Sequence, residues 1–506
     1  MIRAFSVALL LVVLSLHSDL LAQRHVGPGQ QFPDLPAAAK ARAILAGDTV
    51  YIHAGTYRNS TTYIDSLIGR PDAWITIRPY GNDSVSINEQ YVFTRSQYVR
   101  VQGLNFNGND PTQTTRVYHQ LYFDYQYDCF DAIHDIIVEN CKFRNLDNTG
   151  KQGSGAMLKF TGVDRFLVEN CIFRNGINMA DGISMNGDRN GVIRNCTFEN
   201  LSLFGSHCKG GSKNIRFERN IFIDCSDAGI EVGGDTGPEY FCPMAAPWEA
   251  DSIKVYANIF IGGKTGVRMA GCTNSEIYNN TFFKQHQFAF RSLNASSRTV
   301  LDNNRIANNI FTTDGANGLY MNASANFDYS THYFTNNLFH DYRNPNPAQI
   351  NWSEMPGVNV TGSIIVDPLF TDTAKRDFSL RQGSAAIVAG EAHQDPVYDF
   401  AGNPFSPFRP SIGALEYGST GSVAQMQPTL SELSISPNPA STHVRIVQSG
   451  SSHTSRFDVV DMRGRIVLST GFDQIIGVSH LAAGEYVIIA RDETGNVIAT
   501  ASFIKL

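Results

Sequence analysis

VENCKF (Val138–Phe143), VENCIF (Val168–Phe173), IRNCTF (Ile193–Phe198) and FERNIF (Phe217–Phe222) repeat one pattern: an apolar residue, two polar ones, Cys or Asn, any residue, then Phe. The pattern continues as VYANIF, IYNNTF, IANNIF and FTNNLF, ending at Phe260, Phe282, Phe311 and Phe339. Weaker copies are VQGLNF at Phe106 and IVDPLF at Phe370. Successive Phe lie 22 to 38 residues apart, room for two or three short strands but not for a helix pair. β-Branched and aromatic residues alternate with polar ones, and Gly or Asn follows, which is strand and turn chemistry. Such a unit cannot bury its apolar face alone, so it must stack on its neighbours as a β-solenoid. The Phe then form an internal ladder with rungs about 4.8 Å apart. Asn220, Asn258, Asn280, Asn309 and Asn337 are expected to form a second ladder at a turn, in left-handed geometry. Cys141, Cys171 and Cys196 hold that position in earlier copies and read as buried thiols filling a tight corner.

The surrounding chain sets limits. Of its 506 residues 17 % are charged, against roughly 25 % in an average soluble protein, and 32 are Phe, so a large core is available. A net charge of -7 argues against a nucleic-acid binder held by a general basic field. Arg3 followed by the apolar run Ala4–Leu16 and the small Ala22 reads as a secretory signal peptide over residues 1–22. No later segment is long enough to cross a membrane as a helix. Export permits disulfides, and Cys208, Cys225, Cys242 and Cys272 are the better candidates, with pairing open.

The chain resembles the right-handed parallel β-helix superfamily, the pectate-lyase-like proteins. Beyond the repeats, the resemblance rests on LPAAAKARAILAGDTVYIHAGTYR (Leu35–Arg58), ITIRPYGNDSVSIN (Ile75–Asn88), DFSLRQGSAAIVAG (Asp377–Gly390) and IGALEY (Ile412–Tyr417). It implies an all-β fold with an N-terminal capping helix, spanning residues 23–418. A Gly, Ser and Gln-rich linker follows at 419–429. Residues 430–506 have alternating apolar residues and Gly-centred turns, the pattern of a small β-sandwich. Its SPNPAS (Ser436–Ser441), VVDMRGRIV (Val459–Val467) and LAAGEYVIIA (Leu481–Ala490) resemble the type IX secretion sorting domain. That implies handling by the type IX machinery and release or attachment at the outer-membrane surface.

Aligning the strand that precedes each Phe motif gives an outward column of Lys159, Ser184, Lys209, Glu231, Arg268, Arg291 and Tyr320, with His207 beside Lys209. Four cations, one carboxylate and a His suit an extended acidic polysaccharide. Such chains are cut by β-elimination, which needs a base for the C5 proton, cations for the uronate and an acid for the leaving oxygen. Lys209 is the candidate base, its pKa expected to fall beside Lys159, Arg268 and Lys213. Arg268 and Arg291 are candidate carboxylate clamps, and His207 is a further catalytic candidate. Lys159, Glu231, Arg291, Tyr320 and Trp248 are candidate substrate contacts. Trp248 belongs to an insertion, Pro238–Ala250, that could overhang the groove. KGGSKNIRFERNIF (Lys209–Phe222) resembles the catalytic-Lys region of the chondroitin and alginate lyase family, which implies Lys209 as base. That family has an Arg where Glu231 stands, and its acidic calcium cluster is replaced by Leu203, Gly205 and Ser206.

No cofactor is required by this reading. Ca²⁺ could be held by Glu231 with Asp235, or by Asp128, Asp131 and Asp135. Asp181 and Asp188 could form a carboxylate pair for glycoside hydrolysis. A hydrolase or uronate epimerase on the same groove therefore stays open, as does a non-catalytic glycan-binding or adhesin-like solenoid. The expected partners are an acidic polysaccharide and the secretion machinery, not nucleic acid, and the expected state is a monomer.

Overall fold

The computed structural model describes residues 23–506 apart from 59–60, 109–116, 126–128, 151–152, 294–299, 315–320, 324–327, 344–349, 351, 394–397, 420–431, 450–454, 462–464, 472–474 and 492–496. The expected leader and the linker from residue 420 on thus lie outside the described residues, as do Tyr320 and Asp128. The chain coils as a parallel β-helix whose rungs contribute to three sheets, of 15, 12 and 10 strands among the described residues. In one full rung, Asp164–Glu169 lies in the first sheet, Ile172–Gly176 in the second and Ala180–Asn186 in the third. A six-residue helix, Leu35–Lys40, closes the N-terminal end, with Asp34 capping the Ala37 N–H at 2.8 Å.

The Phe ladder runs through the second sheet. Neighbouring rings from Phe106 to Phe282 stack with centroids 4.6 to 4.9 Å apart and planes within 9°. The ladder continues through Phe311 to Phe339. Facing it is a column the sequence reading did not single out, Gly182, Gly205, Gly229 and Gly266. A Cβ on any of these would lie 2.3 to 2.8 Å from the ring of Phe198, Phe222, Phe260 or Phe282 respectively. The rings pack in the space that glycine leaves.

The Asn ladder is present, but not in the expected backbone conformation. Asn220, Asn258, Asn280, Asn309 and Asn337 are buried, and each amide donates to the next at 3.0 to 3.1 Å. The left-handed residue is the one before, at Arg219, Ala257, Asn279, Asn308 and Asn336, with φ between 50° and 56°. The ladder Asn is selected by its side chain, which satisfies buried main-chain groups, for example the Asn220 N–H at 2.9 Å and the Phe217 carbonyl at 2.9 Å. Cys141, Cys171 and Cys196 occupy the same position as buried free thiols.

Two other expectations are corrected. Of Cys208, Cys225, Cys242 and Cys272, only Cys242 is bridged, and its partner is Cys129; the other three are buried and free. Phe370 is not a ladder residue. It begins an antiparallel hairpin with Asp377–Leu380, and Pro368, which lacks an N–H, precedes it. This closing segment, with Phe378, Leu380, Phe400 and Ile412, covers the outer face of the second sheet at Ile221, Ile259, Ile310 and Leu338.

The C-terminal segment has its own core around Val444, Phe457, Ile488 and Phe503, between a three-stranded and a four-stranded antiparallel sheet. Asp458 is buried there between Arg456 and Arg491.

Candidate functional site

The third sheet carries the polar column, in a register that differs from the one expected. Successive rungs pair Tyr122 with Lys159, Lys159 with Ser184, Ser184 with His207, His207 with Glu231, Glu231 with Arg268 and Arg268 with Arg291. His207 therefore stands in the column, and Lys209 stands two residues along, paired with Asn186. At the other end Arg291 pairs with Asn322, not with Tyr320. Both slips are of two residues, which keeps the in-and-out alternation intact and so leaves no trace in the pattern.

Lys159 donates from Nζ to Ser184 Oγ at 2.7 Å, and Ser184 Oγ is 2.7 Å from His207 Nε2. His207 Nδ1 lies 3.8 Å from Asp181 Oδ2. Ser184, His207 and Glu231 are each only 2 % exposed and Asp181 is fully buried, so of this group Lys159 alone reaches the surface. Burial, then the charge of Lys209, lowers the Lys159 amine to about 8. Burial holds His207 well below its ordinary value, helped by Lys209, Lys159 and Arg268. Burial also raises Asp181 to about 7, and Glu231 to about 7 against the opposing pull of Arg268. Tyr122, beside Lys159, is raised by burial and by Asp124, and its hydroxyl lies 3.2 Å from Thr161 Oγ1.

Arg268 is spoken for. It pairs with Asp227 at 2.6 Å and with Glu231, and its guanidinium lies over the Phe204 ring at 5.0 Å. It is therefore not an open carboxylate clamp, and Glu231 is one of its partners. Arg291 is half-buried over Phe288 at 5.1 Å and sits below its ordinary pKa through burial and the charge of Arg268. Lys209 extends past Gly234, where a Cβ would come within 3.0 Å of its Cδ, and approaches the Asp235 carbonyl at 3.4 Å. Lys213 is on the first sheet, paired with Asp251 at 2.8 Å and lying 5.3 Å from the Trp248 ring. Trp248 thus packs on Lys213.

The insertion is seated on the turns that follow the third sheet. Asn186 donates to the Tyr240 carbonyl at 2.7 Å, the Cys242 N–H donates to the Gly210 carbonyl at 2.8 Å, and Cys242 is bridged to Cys129. Buried Glu249 accepts from the N–H groups of Gly210 and Thr236 at 2.8 and 3.0 Å. Glu249 was not legible as a site residue, because an insertion carries no period; Tyr122, in the strand His119–Asp124, and Asn186, at the end of Ala180–Asn186, lie on the periodic sheet and were not singled out.

Two of the remaining acidic candidates are occupied. Asp188 accepts from the N–H groups of Val163 and Asn186, both at 2.7 Å, and holds a turn rather than pairing with Asp181. Asp135 is bound by His134 and Arg165, both at 2.6 Å. Asp235 is exposed, and among the described residues no three His, Cys, Asp or Glu gather as a cation site.

Residues 129–306 match the family described as right handed beta helix region, and residues 434–504 match the secretion system C-terminal sorting domain. No curated protein matches the chain. Similar solved structures include the pectate lyase Pel9A, at 14% identity over 79% of this chain and 98% of that one, TM-score 0.43. Another is the PL6 family polysaccharide lyase Pedsa3628 from Pseudopedobacter saltans, at 12% identity over 72% and 96%, TM-score 0.45. A third is the GH136 lacto-N-biosidase from Eubacterium ramulus, at 12% identity over 68% and 67%, TM-score 0.44. The chain is a right-handed parallel β-helix protein with a type IX sorting domain, which directs it out of the cell to the surface or the medium. No helix among the described residues is long and apolar enough to cross a membrane.

Proposed function

We propose that the protein cleaves an acidic polysaccharide by β-elimination, with Lys159 rather than Lys209 as the base. The observation that carries this reading is the Lys159 amine, lowered to about 8 at the surface end of a buried polar chain. An amine with a pKa near the working pH is free often enough to take a proton and basic enough to hold it. In the reaction, Nζ takes the C5 proton of a uronate, the C4–C5 double bond forms and the C4–O4 bond breaks. The departing oxygen takes a proton from Tyr122, whose raised pKa keeps its hydroxyl protonated until then. Return of the proton from Lys159 to Tyr122 resets the pair. Lys209, two rungs along, supplies the positive charge nearest the base and stabilises the enediolate.

A non-catalytic glycan-binding solenoid is the second reading, favoured by the burial of Ser184, His207 and Glu231 and by the closed pairing of Arg268. The two are separated by the ultraviolet absorbance of unsaturated uronate ends, followed on alginate, pectate, chondroitin, heparin-type and ulvan-type chains. Wild type is expected to produce the signal on one of them and Lys159→Ala to abolish it, with Lys209→Ala weakening but not abolishing it. Product from wild type and Lys159→Ala alike would remove Lys159 as base, and no product on any chain would leave the binding reading.

A further inference from the structure

We propose that Ser184, His207 and Asp181 form a buried proton relay that couples the Lys159 amine to the carboxyl group of Asp181, so that the three act as positioning residues for the base. The relay stands on geometry; only the use made of the amine rests on the lyase reading.

The chain of contacts is continuous from the surface inward. Nζ to Oγ and Oγ to Nε2 are both 2.7 Å, and the gap from Nδ1 to Asp181 Oδ2 is 3.8 Å. His207 Nδ1 and Asp181 Oδ2 are both fully buried, and neither has a hydrogen-bond partner. They face each other, and a side-chain movement of under about 1 Å closes the link to ordinary hydrogen-bond length. Asp181 Oδ1 is held by the Phe204 N–H at 3.2 Å, which leaves Oδ2 for His207.

Two proton arrangements satisfy every link. In one, Lys159 is an ammonium that donates to Ser184, Ser184 donates to Nε2, and the Nδ1 proton faces an ionised Asp181. In the other every hydrogen bond is reversed: a protonated Asp181 donates to Nδ1, Nε2–H donates to Ser184, and Ser184 donates to a neutral amine. Both arrangements contain the same number of protons and a neutral imidazole. They differ by the transfer of one proton from Lys159 to Asp181. Because separated charges are costly in a dry interior, the second arrangement is accessible and leaves the amine free.

The surrounding groups are consistent with this. Lys209, Lys159 and Arg268 all oppose a charge on His207. Lys209 opposes the Lys159 ammonium, while Asp181, Asp188 and Asp124 favour it. Glu231 disfavours ionisation of Asp181 and Lys209 favours it, and Asp181 in turn raises Tyr118. His119, on the rung before Lys159, is held neutral by burial and by Lys159, its Nδ1 accepting the Ala156 N–H at 3.0 Å. Burial moves the Lys159 amine down and the Asp181 carboxyl up, toward each other, so one proton can be shared between them.

The test is a pH titration of the Lys159 Nζ chemical shift in the full chain with nitrogen-15-labelled lysine, assigned by its loss in Lys159→Arg. Wild type is expected to titrate in two steps, because the first proton lost comes from the coupled pair. Asp181→Asn removes the far end and Ser184→Ala the link, and each is expected to collapse the curve to one step with an unchanged circular dichroism spectrum. A one-step curve in wild type, or the same two-step curve in all three folded proteins, would overturn the relay. Two steps without polysaccharide cleavage would sink the lyase reading and leave the relay standing. Where cleavage is found, the pH profile of kcat should lose the same inflection in both variants.

Discussion

Asp181 shows how a single buried side chain sets the pH response of the site. Its pKa, raised to about 7 by burial, means that the folded protein holds this proton over a range where the unfolded chain has released it. Stability contributed by protonated Asp181 is therefore present below the unfolded value near 4 and lost as pH rises toward 7. His119, depressed to about 3, has the opposite sign: its contribution is lost as pH falls from about 6.5 toward 3. Asp181→Asn should therefore melt higher than wild type at pH 8, with the gap shrinking as pH is lowered and closing near pH 4. Thermal unfolding by circular dichroism across that range checks it. A gap that is constant with pH would mean that Asn acts only by its shape.

At the scale of the element, the rung is fixed by pairs of columns, and the glycine column is the most sensitive. A Cβ at Gly229 would lie 2.6 Å from Phe260 Cδ1 and 2.9 Å from the Gly266 carbonyl, so Gly229→Ala should cost roughly 1 to 3 kcal/mol by overpacking. Phe260→Leu creates space at the same place, and the double variant should lose less than the sum of the two single losses in a urea titration. Simple additivity would show that the ring does not press on this glycine. The Phe and Asn columns were legible in the sequence because they recur at one position of a motif. The left-handed residue was expected one position too late, since Asn favours both the turn and the amide ladder and composition does not separate them. The site was legible as a sheet face but not as a register: the pattern that puts Ser184 outward serves His207 and Lys209 equally. The strand that pairs His207 with Ser184 is entered through a turn at residues 202–203, where Ser202 Oγ accepts the Ala180 N–H and the Asp227 N–H donates to the Leu203 carbonyl.

For the whole molecule, the separation of cores matters more than any one contact. The β-helix is stabilised rung against rung, closed by the helix at Leu35–Lys40 and covered along its second sheet by the segment around Phe370–Ile412. The sorting domain has its own core and its own buried ion pairs, and none of the residues in that core belongs to the solenoid clusters. Repeat proteins transmit stability between neighbouring units, so a domain that fills no rung should not support distant ones. Ending the chain after residue 419, which keeps the Ser419 hydroxyl on buried Asp399, should therefore leave the β-helix melting at the same temperature as in the full chain, with the Lys159 titration unchanged and export abolished. Calorimetry of the full chain should then show two transitions, one of which vanishes on truncation. A lowered melting temperature for the truncated β-helix would instead make the sandwich a second cap, and its attachment to the C-terminal rungs would have to contribute to the fold as well as to sorting.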